Sequence, residues 1–85
     1  ESELINISAK PNPARAYVAF DYELVNRNSS GLIFISDVNG RTISQIQVNG
    51  KVGQKVWNTT GLKAGEYFYT LTSDGLRKSG KVVIY

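Results

Sequence analysis

Asp21 and Glu23 are the closest thing in this chain to a reactive pair. Two carboxylates one residue apart on a strand share a face, and paired carboxylates can do general acid and base work. The rest of the inventory does not support a reaction centre. There is no histidine and no cysteine. A Ser-His-Asp triad, a Cys-His pair and a thiolate zinc site would each lack a member. Asp37, Asn39 and Gly40 have only a loose likeness to a calcium loop, and turn formation accounts for all three. No glycine-rich loop precedes a helix, so no phosphate cradle is predicted. Solvated charges on an outer strand face explain Asp21 and Glu23 better than catalysis does. The reading is a binding module with no enzyme activity, no metal and no cofactor.

Other chemistry is non-covalent. The 10 Lys and Arg against 7 Asp and Glu give a net charge of +3. The cations are dispersed, and only Arg77, Lys78 and Lys81 lie close together. With no aromatic stripe interleaved, nucleic acid is not an expected partner. Tyr17, Phe34, Phe68 and Tyr85 fall on the outward parity of their strands, where they can pack across strands or meet a sugar or a protein. Asn6-Ile7-Ser8, Asn28-Ser29-Ser30 and Asn58-Thr59-Thr60 match the glycosylation triplet, a pattern that often arises by chance.

These residues need a scaffold, and 85 residues allow one domain with a thin core. No apolar run is long enough to span a membrane, and no signal peptide is visible. The chain opens on Glu1, which reads as a piece of a longer protein with any targeting segment upstream. Short apolar and β-branched runs alternate with Gly, Asn and Pro, and no stretch has helical period. The first run is Leu4 to Ala9. It stops at Pro11 and Pro13, which should hold the backbone extended and unpaired. In the second run Val18, Phe20, Tyr22 and Leu24 alternate with Tyr17, Ala19, Asp21 and Glu23, so the first set faces inward. Leu32 to Asp37 is apolar on both faces, as a central strand would be.

Asn39-Gly40 predicts a tight hairpin with both residues at positive φ. Thr42 to Val48, Lys55 to Thr59 with Trp57 inward, Glu66 to Thr72, and a last run ending in Lys81 to Tyr85 complete about seven strands. Open edge strands leave a homodimer possible. The expected fold is all-β, an immunoglobulin-like sandwich of two antiparallel sheets. Leu62, Gly65 and Tyr67 resemble a tyrosine corner, in which the ring packs and its hydroxyl bonds a nearby backbone group.

Four segments in order carry a family resemblance. They are Lys10-Pro11-Asn12-Pro13-Ala14, Asp37-Val38-Asn39-Gly40-Arg41, Gly61-Leu62-Lys63-Ala64-Gly65-Glu66-Tyr67-Phe68, and Lys81-Val82-Val83-Ile84. Together they resemble the type A C-terminal sorting domain of the Type IX secretion system of Bacteroidota, over nearly the whole chain. Many members end in a basic residue, whereas this chain ends in Tyr85. The resemblance implies one domain over residues 1–85, an address label at the end of a secreted cargo protein. It implies passage through the periplasm to the cell surface or beyond. The implied partners are the outer-membrane translocon, a sortase-like protease that removes the label, and the N-terminal cargo domain. It implies that Pro11, Asn12, Pro13, Gly40, Arg41, Gly65 and Tyr67 are motif residues, and that the strand Lys81, Val82, Val83, Ile84 and Tyr85 is needed for recognition. A terminal strand with alternating apolar residues could add to a receptor's sheet edge. Arg41 is the best candidate for direct contact, since turn Gly and Pro serve the backbone. The competing reading is an accessory adhesion or carbohydrate-binding module, which could occupy any place in its parent.

Overall fold

The structure, a computed structural model, describes residues 4–85. The expected junction at Glu1 lies outside the described residues. Seven strands form: β1 (Asn6–Lys10), β2 (Tyr17–Glu23), β3 (Ser30–Ser36), β4 (Thr42–Asn49), β5 (Val52–Asn58), β6 (Gly65–Ser73) and β7 (Leu76–Ile84). They make two antiparallel sheets in the orders β1-β2-β5 and β4-β3-β6-β7. The hairpin after β3 keeps β4 beside it, so three strands face four. This is the immunoglobulin-like sandwich that the alternating pattern predicts.

The period-two reading places the core correctly. Val18, Phe20 and Leu24 are fully buried, and Tyr22, Trp57, Tyr67 and Tyr69 nearly so. Ile33, Ile35 and Leu71 complete the layer from the second sheet. β3 lies between β4 and β6, which explains why Leu32 to Ser36 carries apolar residues on both faces. Ala19 departs from the pattern. It has outward parity but is buried, because a methyl group this small is covered by its larger neighbours.

Two expectations on extent are corrected, and the start of the last strand is added. β1 begins at Asn6 rather than Leu4 and runs on to Lys10. β5 begins at Val52 rather than Lys55, its first residues held by pairing with β2 from Glu23 onward. β7, whose start the sequence left open, begins at Leu76, and its polar stretch Arg77 to Gly80 pairs with β6. Both added stretches lie on edge strands, where polar residues are tolerated and apolar pattern fades.

The edges also carry a protective device. Lys55 on β5 stands opposite core-facing Phe20, and Lys78 on β7 opposite core-facing Leu71. Both lysines therefore have inward parity, yet both are exposed. An inward-leaning charge on an edge strand disfavours the addition of another strand there.

Candidate functional site

The registers bring the four motif segments to one end of the sandwich. Gly65 at the start of β6 pairs with Ile84 at the end of β7, and Phe68 pairs with Ser36 just before the β3–β4 loop. Ala14 bridges Ile84 in parallel. The start of β1 lies at the opposite end, where Asn6 pairs with Glu23 and Glu23 with Val52. The long axis of the molecule is 38 Å.

The Asp37–Arg41 loop differs from the predicted two-residue turn. Gly40 alone has positive φ, at 82°, and Asn39 does not. The N–H of Gly40 donates to the Asp37 carbonyl (3.0 Å), and that of Asp37 to the Arg41 carbonyl (3.1 Å). The Asp37 carboxylate accepts from the backbone N–H of Asn39 (2.9 Å) and of Arg41 (3.1 Å). This Asx-type capping lengthens the loop by satisfying donors that a two-residue turn would leave to the partner strand. A shift of register between Ile35 and Ser36 absorbs the extra residue. The Arg41 guanidinium meets the same carboxylate at 3.3 Å and is otherwise exposed. Desolvation pushes the Asp37 carboxyl up, and the Arg41 and Asn39 N–H groups with the Arg41 charge outweigh it, so its pKa lies below the ordinary value. The loop's stabilisation is therefore present above the ordinary carboxylate range and fades as pH falls through the lowered value.

The tyrosine corner forms as its sequence suggests. Tyr67 is buried, and its hydroxyl donates to the Lys63 carbonyl at 2.6 Å. Gly65 takes φ 149°, a backbone that side chains resist. Between the corner and the Asp37 loop lies a cleft of about 390 Å³, lined in part by Val38, Arg41, Ile43, Leu62, Lys63 and Tyr67. It brings Arg41 and Tyr67, from two separate motifs, to one depression. Val38 is exposed on its rim.

The Pro-Asn-Pro segment meets the terminal strand through a side chain: the backbone of Pro11 to Pro13 joins no strand, and Asn12 makes the contact. The Lys10–Pro11 and Asn12–Pro13 peptide bonds are cis. The Asn12 carboxamide donates from Nδ2 to the Lys81 carbonyl (3.1 Å) and accepts at Oδ1 from the Val83 N–H (3.1 Å). Ala14 continues the contact: its N–H donates to the Val83 carbonyl (2.8 Å), and its carbonyl accepts from the Tyr85 N–H (2.9 Å). Proline removes N–H donors at positions 11 and 13, and the asparagine side chain supplies the polar groups instead. The Arg15 guanidinium lies 4.9 Å above the centre of the Tyr85 ring. Val82 and Ile84 point into the core, while Lys81 faces solvent and is 3.5 Å from the Glu66 carboxylate.

Sequence reasoning gives no role to Ala14, which only closes the first motif segment, and does not single out Arg15. An Asn between two prolines, with no donors on either side, was the one available hint. No group of His, Cys, Asp and Glu among the described residues has the geometry of a metal site. Asp21 is held by Lys10 (3.0 Å) and Gln54 (2.8 Å), which lower its pKa, as a solvated surface group would be.

Comparison with known proteins fits this geometry. No curated protein matches the chain. Among solved structures, the chain is similar to part of dimeric latent PorU from Porphyromonas gingivalis, with 19% identity and a TM-score of 0.73. The match covers 94% of this chain and 9% of that one, so it speaks for the fold alone. The family described as secretion system C-terminal sorting domain matches residues 8–85. With that match, and with the sandwich on which it rests, the chain belongs to the C-terminal sorting domains of type IX secretion.

Proposed function

We propose that this domain is the address label of a longer secreted protein, read at the end of the sandwich where its motifs converge. The observation that supports this most is the convergence itself: segments at positions 11–14, 40–41, 65–67 and 81–85 meet at one end although they are far apart in the chain. The label directs its cargo from the periplasm through an outer-membrane translocon to the cell surface or the medium. A sortase-like protease removes it there, and the domain itself performs no chemistry. Its partners are the translocon, that protease and the cargo domain, with no nucleic acid. The chain enters β1 at the opposite end, where Asn6 pairs with Glu23, so the start of that strand leaves the motif end clear. Pro11, Asn12, Pro13, Gly40 and Gly65 shape this end. Arg41, Tyr67 and the strand Lys81, Val82, Val83, Ile84 and Tyr85 supply its side chains. Lys55 and Lys78 on the edge strands favour a monomer over a strand-paired homodimer.

The test is a periplasmic reporter fused ahead of residues 1–85, in hosts with and without the Type IX machinery. Surface delivery only where the machinery is present, with a reporter mass that has lost the domain, is the expected result. A reporter retained in the periplasm of both hosts contradicts the reading.

A further inference from the structure

Among the asparagines of the chain, only Asn39 and Asn49 precede a glycine. That dipeptide carries its own chemistry. The glycine backbone nitrogen can attack the asparagine carboxamide carbon, and with no Cβ on the glycine nothing crowds the approach. A C–N bond forms and closes a cyclic imide. The N–H proton passes to solvent, and the carboxamide nitrogen leaves as ammonia. Water then opens the ring at either carbonyl, giving aspartate or isoaspartate. The attacking nitrogen must lose its proton, so the step needs that N–H released from its hydrogen-bond acceptor and reached by solvent.

The fold treats the two sites differently. The Gly50 N–H donates to the Ser29 carbonyl (3.0 Å), just ahead of β3. The Asn49 carbonyl accepts from the Tyr22 hydroxyl (2.9 Å), which reaches it from the other sheet. Asn49 also pairs with Ser30, and Val48 before it is fully buried. Releasing the Gly50 nitrogen therefore means parting β4 from both sheets. At Asn39 the bonds are local. The Gly40 N–H donates to the Asp37 carbonyl (3.0 Å), and the Asn39 N–H to the Asp37 carboxylate (2.9 Å). Val38, Asn39 and Gly40 are all exposed, and nothing lies within 4 Å of where a Cβ would stand on Gly40. Opening this loop disturbs no core residue, and exposed loops open at far lower cost than core strands. Asp74-Gly75 could close the same ring with loss of water, but the Ser29 hydroxyl holds its carboxylate at 2.6 Å.

We propose that Asn39 is the site at which the folded domain deamidates, and that Asn49 is spared. The reaction consumes water and needs no enzyme. It goes beyond the sorting reading and does not depend on it. A carboxylate replaces a neutral carboxamide in the loop that already holds Asp37, on the lip of the cleft that Arg41 lines. The isoaspartate product also adds a carbon to the main chain between Asp37 and Arg41, the two residues whose bonds close the loop.

The experiment holds the 85-residue domain in warm, mildly alkaline buffer, with and without denaturing urea. Peptides are then mapped by mass spectrometry, with electron-transfer fragmentation to tell isoaspartate from aspartate. In urea the two sites should convert at comparable rates. In native buffer Asn39 should convert about tenfold faster than Asn49 or more. Tyr22→Phe removes the bond to the Asn49 carbonyl, so it should speed conversion at Asn49 severalfold and leave Asn39 unchanged. Native conversion at Asn39 that is absent, or no faster than at Asn49, overturns the proposal. A rise at both sites alike in Tyr22→Phe would mean that global unfolding sets both rates, and that overturns it as well.

Discussion

A chain that stops at Gly80 is expected to show no cooperative unfolding transition. The missing residues include Val82 and Ile84, both in the core. They also include the β7 partners of Gly65 through Phe68, and so the anchor of the tyrosine corner. Fully burying an aliphatic side chain stabilises by about 1.5–3 kcal/mol. Two of them, with the Asn12 and Ala14 bonds to the last strand and the lost strand pairs, rival a total stability of roughly 4–13 kcal/mol for a domain of this length. Thermal or urea melts followed by circular dichroism measure this directly. A two-state melt within a few degrees of the intact domain would contradict it. The consequence for function is practical. A truncated fusion that fails to reach the surface has lost its fold as well as its address, so single substitutions on the outward side of the strand are more informative than deletions.

Phe20→Ala is expected to be the most damaging single truncation to alanine. Phe20 is fully buried at the centre of β2. Its ring lies 6.3 Å from Trp57 in its own sheet and 5.2 Å, edge-on, from Tyr69 in the other. Trp57 in turn meets Tyr67 edge-on at 5.9 Å. The four rings form one path from β2 and β5 across to β6, and it ends at the tyrosine corner. Removing a buried phenylalanine costs about 3–5 kcal/mol, cavity included. For a domain of this size that lowers the melting temperature on the order of 20 °C. Urea titration gives the value, and a loss below about 1 kcal/mol would show that the sheets are held together by something other than this path.

The core was legible because its rule is local. Val18, Phe20, Tyr22 and Leu24 state their face by alternation alone, and the structure buries all four. The tyrosine corner was legible because Gly65 and Tyr67 keep a fixed spacing and close a bond within four residues. The Asn39-Gly40 turn was only partly legible. Its position was right, and its geometry changed because the Asp37 side chain, not the dipeptide, decides the hydrogen bonding. The start of β7 stayed open in the sequence, since Arg77 to Gly80 are held in the sheet by backbone pairing, which leaves no trace in side-chain pattern. The contact of Asn12 with the last strand was missed for a different reason. Asn12 and Val83 are joined across 71 positions, and nothing local to either says that a side chain will stand in for a strand. The motif residues were thus readable as a set through resemblance, while their meeting at one end required the register of both sheets.

The most direct measurement concerns whether this end must be free. A reporter fused ahead of residues 1–85 is compared with the same fusion carrying a compact folded domain after Tyr85, and the surface fraction of each is counted by external labelling. The machinery reads the motif end, so burying that end under the added domain should drop delivery to the level of a host without the machinery. Equal delivery of the two fusions would contradict the account.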